Sequence, residues 1–189
     1  VEPGTTDRLN ERYGNVTVIF NPEFLTEANS FEDFKNQNRI IIGGPRPAST
    51  KVKTMYRKAF PEVPIVKTGA NVAETVKYFI NCFLATKVSF ANEMKQVCDS
   101  IDVDFDKVVE YALYDERIGK SHLSVPGPDG SLGFGGHCFP KDLNAIMTLA
   151  SLGDVATPVL NGVWQKNMEV RAPEDRDWER MLGRAVSTD

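Results

Sequence analysis

Residues 71–99 contain neither proline nor glycine, and this stretch limits the fold more than any other part of the sequence. Its apolar side chains recur at near-helical spacing, which predicts a single long helix. At 1.5 Å per residue such a helix is about 40 Å long, more than a small domain needs. Because apolar residues lie on several of its sides, we expect more than one neighbour to bury it, either within the same chain or in a second subunit. The apolar positions are Val72, Val76, Phe79, Ile80, Phe83, Leu84, Val88, Phe90, Ala91, Met94, Val97 and Cys98.

The residues that precede this helix alternate between short β-branched runs and a helical pattern. Compact apolar runs bounded by turn residues are typical of buried parallel strands. A strand, a helix and a further strand in this order predict the last part of an open α/β sheet. The expected elements are helices at 5–13 and 49–60 and strands at 16–20, 39–44 and 64–66.

The residues that follow the long stretch predict three shorter helices and one long loop. Asp104 or a neighbour is expected to cap a helix at 105–113. The loop at 120–136 contains a proline- and glycine-rich cluster, and because loops of this length are usually functional or disordered we expect it to cover a ligand. Helices are expected at 140–152 and 158–170, and the charged segment from Arg171 onwards is expected at the surface.

A glycine-rich stretch at 133–143 carries a single cysteine to the start of the helix expected at 140–152. Pro140 suits the first helical position, because its φ is fixed and its missing N–H is not needed there. Cys138 would then lie just outside the helix, where the positive helix end and Lys141 favour the thiolate. Asp142 follows by four residues and could point to the same side of the first turn. A glycine-rich turn with a half-buried cysteine is an equally good interpretation of these residues alone.

Lys77 and Asn81 are four residues apart on the expected long helix and therefore share a face. They lie among apolar residues, where a lysine without a partner would be costly. A lysine and an amide on one buried stripe are suited to holding an oxyanion or a polar ligand. A lysine that extends to solvent and an amide that bonds another helix form the commoner arrangement.

The bulk composition excludes several classes of protein. The 189 residues carry a net charge of −4, which offers no electrostatic case for nucleic acid or an anionic membrane. The sequence contains no apolar run of the roughly 18–20 residues that span a bilayer. Three widely spaced cysteines argue against a disulfide framework or a zinc site and for a reducing, cytoplasmic setting. The chain begins with Val1, and its first residues resemble mid-chain sequence, so we expect it to be part of a longer protein.

The glycines around Cys138 nearly match a dinucleotide-binding fingerprint, but three features exclude that interpretation. The last position of Gly133-x-Gly135-x-x-Cys138 is a cysteine, the motif follows a loop rather than a strand, and no acidic residue ends a second strand about 20 residues later. No other segment has the GxGxxG pattern. The sequence therefore lacks the usual front half of a dinucleotide-binding domain.

Five motifs in a fixed order make this sequence resemble the nucleotide-sugar dehydrogenase family, the UDP-glucose/GDP-mannose dehydrogenases. The resemblance extends from Val1 to about Met168. The motifs are Asn21-Pro22-Glu23-Phe24-Leu25-Thr26-Glu27, Arg39-Ile40-Ile41-Ile42-Gly43-Gly44, Ala73-Glu74-x-x-Lys77-x-x-x-Asn81, Asp115-x-Arg117-Ile118-Gly119 and Gly133-x-Gly135-Gly136-x-Cys138-Phe139-Pro140-Lys141-Asp142.

The resemblance implies a fold and a division of the chain. Residues 1–69 would be the C-terminal part of an NAD-binding domain, an α/β remnant with the last strands of a Rossmann-type sheet. Residues 70–170 would be an all-α central domain that forms a homodimer through the long helix at 71–99. Residues 171–189 would be a surface tail. The glycine fingerprint would precede Val1, and the family's C-terminal domain would be absent.

The resemblance also implies a reaction, the oxidation of a sugar C6 alcohol to a carboxylate with two NAD⁺. A thiol is suited to that route, because a thiohemiacetal can lose hydride to form a thioester that water then cleaves. By resemblance Cys138 would be the nucleophile, Lys77 would stabilise the oxyanion and Asn81 would position it or the sugar. Asp142 would position the water or transfer a proton, and Glu23 would be the base for thioester hydrolysis.

Further residues would bind the sugar nucleotide and the cofactor. Arg117 resembles the arginine that reaches a sugar nucleotide bound mainly by the other subunit, so the dimer would complete the site. The motif that contains Arg117 resembles the UDP-glucose members more than the GDP-mannose members. GDP-mannose and a UDP-N-acetylhexosamine are the alternative substrates. The substrate-binding positions implied are Phe24, Leu25, Thr26, Glu27, Lys77, Asn81, Arg117, Phe134 and Gly135, and those on the cofactor side are Glu27 and Lys141.

Two other functions are compatible with the same residues. Without a dinucleotide fingerprint, the 189 residues could serve only as a dimerisation or binding module. A thiol enzyme of another class, such as an acyl transferase that uses Cys138 and Asp142, is the second alternative. Dependence on NAD⁺ distinguishes the dehydrogenase from both.

Overall fold

The computed structural model describes residues 1–26 and 29–180. The chain divides into two compact units, Val1–Phe79 and Ile80–Asp189, and the division falls within one long helix. None of the helices in the described ranges is long and apolar enough to cross a membrane. The predicted division at residues 69/70 and 170/171 stays a prediction.

The first unit contains a small parallel sheet flanked by helices. Strands β1 (Ile40–Gly43) and β2 (Ile65–Thr68) pair in parallel, with Ile40 opposite Ile65, and this confirms the strands expected at 39–44 and 64–66. Side chains of β1 and β2 form an apolar core with side chains of the intervening helix, as a strand–helix–strand unit requires. The helices of this unit are α1 (Thr5–Arg12), α2 (Ser30–Lys35) and α3 (Ala48–Ala59).

The strand expected at 16–20 is wrong. Val16 is exposed, and among the residues that the structure describes the segment makes one bridge, which joins Phe20 to Gly43 in the antiparallel sense. The side chain of Asn10 bonds both backbone groups of Val18, because its Oδ1 accepts from Val18 N at 2.7 Å and its Nδ2 donates to Val18 O at 3.0 Å. A backbone residue bonded in this way has no groups left for a ladder. Helix α2 was not expected from the sequence.

The long helix α4 extends over Ala70–Ser100 and confirms the prediction. Most of its buried residues are small or polar, with Ala73, Ala85 and Glu74 completely buried, and the aromatic Tyr78 is buried as well. Many of its large apolar side chains are instead exposed to solvent: Val72, Phe79, Phe83, Phe90 and Val97. The wide apolar stripe of the sequence therefore includes a face that the described residues of this chain leave exposed.

The second unit packs three further helices against α4. They are α5 (Phe105–Ala112), α6 (Cys138–Leu152) and α7 (Pro158–Val170), followed by a 3₁₀ turn at Pro173–Asp175 and by α8 (Asp177–Arg180). Asp104 caps α5 as expected, since its side chain accepts from the amides of Asp106 and Lys107. The main core of this unit contains Ala85 of α4, Leu143 of α6 and Val163 of α7.

Helix α6 begins two residues earlier than predicted. Cys138, expected just outside the helix, is its first residue, and Pro140 is the third rather than the first. The reason is that the first four amides of a helix have no partner within it, so proline fits anywhere in that turn. The first intrahelical bond joins Lys141 N to His137 O at 3.3 Å.

Candidate active site

In the first unit, Lys77 of α4 forms an ion pair with Glu23. The Lys77 side chain is 19% exposed and that of Glu23 is 47% exposed. The ion pair is therefore partly exposed to solvent and does not lie in the core of the unit. The structure thus brings together the predicted oxyanion stabiliser and the predicted base for thioester hydrolysis. The carboxylate of Glu23 also offsets the cost of placing the Lys77 ammonium among apolar residues.

The loop that contains Glu23 is held by side-chain bonds to its own backbone. Glu23 Oε2 accepts from Leu25 N at 3.0 Å, and Asp33 Oδ2 accepts from both the amide and the hydroxyl of Thr26 at 2.8 and 2.6 Å. The guanidinium of Arg39 lies over the ring of Phe24 at 4.2 Å. The predicted substrate contacts of Phe24, Leu25 and Thr26 stay predictions, and Glu27 lies outside the described residues.

These residues border an open cavity of about 530 Å³ within the first unit. Aromatic rings, amides and charged groups line it together, which is the composition of a site for a polar ligand with an apolar part. The lining includes Glu23, Phe24, Thr26, Asp33, Arg39 and Tyr56.

In the second unit, buried asparagines hold the glycine-rich stretch that leads to Cys138. Asn167 of α7 is completely buried, and its amide bonds both backbone groups of Phe134, at 2.7 Å to N and 3.0 Å to O. Asn92 of α4 accepts from Gly133 N at 3.1 Å. Gly133 has φ +68°, and a side chain there would collide with Asn167, so only glycine fits. This stretch delivers Cys138, half-buried, to the first position of α6.

One turn further along α6, Asp142 is almost completely buried and has two partners. Its Oδ2 accepts from Asn81 Nδ2 of α4 at 2.6 Å, and its Oδ1 pairs with the ammonium of Lys141. The second unit therefore brings Asn81, Lys141 and Asp142 together. Lys141, expected to favour the thiolate, is bonded to the carboxylate in this arrangement.

A second cysteine lies close to Asp142 but is chemically different from Cys138. Cys82 is buried in the main core. Burial, with a smaller effect from the negative charge of Asp142, raises the pKa of the Cys82 thiol to about 12. A thiol with such a pKa remains protonated near neutral pH and is a poor nucleophile.

Two predicted substrate contacts, Phe134 and Gly135, belong to the glycine-rich stretch. The Phe134 side chain is buried in the core, and Asn167 already bonds its N and O. A Cβ added to Gly135 would lie 2.7 Å from Cζ of Arg171. Both residues therefore support the stretch, and their contact with substrate stays a prediction.

Arg117 projects from the second unit with a side chain that is 89% exposed. Its guanidinium forms a two-point ion pair with Asp115, at 2.9 Å from Nε to Oδ1 and 2.6 Å from Nη2 to Oδ2. These bonds lower the pKa of Asp115 and raise that of Arg117. The Arg117 guanidinium binds the two carboxylate oxygens of Asp115 through two N–H groups. The same pair of donors is suited to two oxygens of a phosphate.

His122 is a titratable group that the sequence analysis did not identify. Its Nδ1 is buried and, within the described residues, has no hydrogen-bond partner. Its ring centroid lies 5.6 Å from that of Phe139, the neighbour of Cys138. Burial and then the charge of Lys87 lower the pKa of His122 below its usual 6.5.

The free energy of unfolding is therefore expected to decrease as the pH falls below about 6.5. The unfolded chain binds the His122 proton more readily than the folded chain, so protonation favours unfolding. His122→Asn, which tolerates the φ of +65°, should reduce the slope of unfolding free energy against pH between about 6.5 and 5. Urea titrations at several pH values measure it, and an unchanged slope would contradict the expectation. Lowered carboxylate pKa values act only at lower pH, below about 4.5.

Sequence reasoning did not predict the contacts of three buried polar residues, of which Glu74 occurs in one of the five motifs. Glu74, completely buried on α4, accepts from Gly4 N at 2.7 Å, from Thr6 N at 2.9 Å and from Thr6 Oγ1 at 2.6 Å. It thereby caps the start of α1. Asn92 and Asn167 are the other two. The sequence signal for such a residue is a polar side chain on an otherwise apolar helix face. That signal indicates a buried hydrogen bond but does not identify the group that shares it.

The described residues fit only part of an NAD site. The parallel strands β1 and β2 end at one edge of the sheet, where dinucleotides bind in open α/β folds. The glycines at the end of β1, however, permit close packing: a Cβ on Gly43, the last residue of β1, would lie 2.5 Å from that of Ala73, and one on Gly44 would lie 2.6 Å from Cδ1 of Ile19. Both glycines thus serve packing, and the described residues contain no GxGxxG turn of the kind that holds a pyrophosphate.

Two family models match the chain. The model for the central domain of the UDP-glucose/GDP-mannose dehydrogenase family matches residues 71–169, and the model for the NAD binding domain of that family matches residues 1–60. The resemblance inferred from five motifs is thereby confirmed, and so is NAD as the cofactor of the family.

Known relatives agree with the family models. UDP-glucose 6-dehydrogenase TuaD of Bacillus subtilis is 34% identical over 82% of this chain and 32% of its own length. The UDP-glucose 6-dehydrogenase of Rhizobium meliloti is 36% identical over 91% of this chain and 37% of its own length. The chain thus spans about a third of the length of the curated relatives it matches.

Solved structures share the fold. A UDP-glucose dehydrogenase from Pyrobaculum islandicum matches with a TM-score of 0.79 at 35% identity, over 89% of this chain and 39% of that one. A GDP-mannose dehydrogenase from Pseudomonas aeruginosa matches with a TM-score of 0.55 at 28% identity, over 100% of this chain and 43% of that one. The predicted fold class, a sheet remnant followed by helices with one long helix, is confirmed.

Proposed function

Because the chain belongs to the UDP-glucose/GDP-mannose dehydrogenase family, we propose that it carries the thiol chemistry of a nucleotide-sugar 6-dehydrogenase. One observation supports this most directly. Cys138 occupies the first position of α6, and Asp142, one turn later, is buried and bonded to Asn81. Such a buried carboxylate has its oxygens fixed in place, as a group that positions water or a proton must.

Cys138 is proposed to add to the carbonyl carbon of the sugar C6 aldehyde and form a thiohemiacetal. NAD⁺, when bound, would accept the hydride. The half-buried position of Cys138 admits a substrate, whereas Cys82 is buried and its high pKa keeps it neutral. Cys82 and Cys98 are buried free thiols, which supports the proposed reducing, cytoplasmic setting.

The other predicted residues are proposed to handle charge and water. The ammonium of Lys77 would stabilise negative charge on the C6 oxygen, and Asn81 would orient that oxygen or the sugar. Glu23 forms an ion pair with Lys77, so the proposed base for thioester hydrolysis lies beside the proposed oxyanion stabiliser. Asp142 would position the attacking water, and Lys141 and Glu27 are proposed on the cofactor side.

The proposed substrate is UDP-glucose and the product UDP-glucuronate. The names of the relatives support UDP-glucose, since both enzymes above are UDP-glucose 6-dehydrogenases. Exposed Arg117 would bind the phosphates of a sugar nucleotide held mainly by the other subunit. GDP-mannose and a UDP-N-acetylhexosamine stay the alternatives, because the family contains enzymes for more than one sugar nucleotide.

The proposal is tested by NADH formation at 340 nm with UDP-glucose, GDP-mannose and a UDP-N-acetylhexosamine. A protein that joins this chain to a complete NAD-binding domain is expected to reduce NAD⁺ with UDP-glucose and to form the uronic acid. The 189 residues alone are expected to reduce none, since their sequence contains no GxGxxG turn to hold a pyrophosphate. Turnover by the chain alone would contradict this, and hydrolysis of acyl thioesters without NAD⁺ would favour the acyl-transferase alternative.

The chain is also proposed to form homodimers through α4. The exposed side chains of Phe83, Phe90 and Val97 recur every seven residues, the spacing with which paired helices pack. Phe90→Glu is expected to convert dimers to monomers, because it would place a charge in an apolar interface. Light scattering with size-exclusion chromatography measures the mass. Phe31→Glu is the matched control, since Phe31 is also well exposed, at 68% against 60% for Phe90, but lies on α2. A monomeric wild type would contradict the proposal.

A further inference from the structure

The residues that follow α7 pack against the loop that leads to Cys138. Arg171 is 4% exposed, which is unusual for an arginine unless its charge is paired. Its Nη1 lies 2.8 Å from Asp129 Oδ2, its Nε donates to Asp175 O at 3.0 Å, and its Nη1 donates to Leu132 O at 3.3 Å. One buried guanidinium therefore joins the loop to the segment after α7.

Asp177 extends these contacts to the glycines beside the cysteine. Its Oδ2 accepts from Gly136 N at 3.2 Å and lies 3.8 Å from Arg171 Nη2. Arg171 also fills the space beside Gly135, where an added Cβ would lie 2.7 Å from its Cζ. Both groups thus act on the backbone two and three residues before Cys138.

Three further contacts hold the same segment in place. Ser131 Oγ donates to Asp175 Oδ2 at 2.7 Å, and the rings of Trp164 and Trp178 lie 5.7 Å apart. Arg176 donates to Met168 O at 2.8 Å. The segment is therefore fixed to α7 as well as to the loop. Because the segment is held in place, its contacts with Gly135 and Gly136 can restrict the backbone of these two residues.

We propose that Arg171 and Asp177 are positioning residues for Cys138, forming a clasp that limits the backbone of Gly135 and Gly136. Gly136 has φ +67° and little intrinsic restraint, so its orientation depends on the bond to Asp177. The clasp rests on the proposed function, in which Cys138 is the nucleophile. A nucleophile must be held within a fraction of an ångström of its productive position.

The test compares two substitutions at one position. Asp177→Asn keeps an oxygen that accepts from Gly136 N, whereas Asp177→Ala removes it. The probe is iodoacetamide, and peptide mass spectrometry of the native 189-residue chain gives a separate alkylation rate for each cysteine. Asp177→Ala is expected to raise the rate at Cys138 about fivefold, the population change from losing one ordinary hydrogen bond. Asp177→Asn is expected to retain the wild-type rate.

Cys82 and Cys98 are buried and serve as internal controls. Their rates are expected to stay unchanged in Asp177→Ala, and the thermal midpoint is expected to fall by no more than about 2–4 °C, the shift that corresponds to one lost hydrogen bond. An unchanged rate at Cys138 would overturn the proposal, and so would a parallel increase at all three cysteines, which would indicate general destabilisation. The alkylation test does not need dehydrogenase activity. If Cys138→Ser retained that activity, the proposed function would fail while the alkylation result still stood.

Discussion

Cys138→Ser is expected to abolish formation of the uronic acid by a protein that joins this chain to a complete NAD-binding domain. Because a serine hydroxyl ionises far less readily than a thiol and forms no thioester, the rate should decrease by roughly 10⁴-fold or more. Binding of UDP-glucose, measured by calorimetry, is expected to stay unchanged, since the substitution replaces one small side chain by another. Separation of the uronic acid by chromatography, together with NADH formation, measures the effect.

Cys98→Ser provides a matched control for that experiment. Cys98 is buried in an apolar cluster with Ala91, Phe105 and Val125, separate from the main core of the second unit. No part of the proposed reaction uses Cys98. The control protein is expected to oxidise UDP-glucose at the wild-type rate once it is folded. Normal acid production by Cys138→Ser would exclude the thioester route, whatever the control shows.

Asn167→Leu is expected to have the largest effect on stability. The side chain is completely buried and satisfies both backbone groups of Phe134. Leucine is of similar size but leaves that N–H and C=O without partners in the core. Each unsatisfied buried group costs about 1–3 kcal/mol, so the free energy of unfolding should decrease by roughly 2–6 kcal/mol. Urea denaturation followed by circular dichroism measures the change.

The matched control is the same substitution at Asn161 of the same helix. Asn161 is exposed, and its Nδ2 donates to Thr157 O at 2.9 Å within the first turn of α7. Asn161→Leu is expected to change the free energy of unfolding by no more than about 0.5 kcal/mol. Similar losses in the two variants would show that burial of Asn167 is not the cause.

Elements with a strong local pattern could be predicted from the sequence. Helix α4 was predicted because apolar residues recur over many turns without a proline or glycine. The cap of α5 by Asp104 was predicted because its side chain bonds amides only two and three residues away. In each case the interaction that decides the structure lies within a few residues.

Elements whose structure depends on a distant partner were predicted less well. The apolar run at 16–20 has strand composition, but Asn10 of α1 takes the backbone groups of Val18. The start of α6 was misplaced because Pro140 is compatible with several positions in a first helical turn. The composition of a segment limits the backbone conformations that it can adopt. The groups that it contacts in the fold decide which of these conformations forms.

The candidate site shows the same division. The sequence motifs identified Cys138, Asn81 and Asp142, and the structure brings Asn81 and Asp142 within 2.6 Å. They did not identify Asn167 or Arg171, which hold the glycine-rich stretch in place. Each of these bonds joins positions more than 30 residues apart, so no local pattern contains it.

By itself the sequence determined the family, the long helix and a cysteine at a helix start, because these follow from residue types at short, fixed spacings. Only the tertiary structure decided which buried polar groups support that cysteine. Buried amides and guanidinium groups must find partners wherever the fold brings a backbone carbonyl, amide or carboxylate within about 3 Å. That proximity is a property of packed helices and loops, and it exists only once the chain has folded.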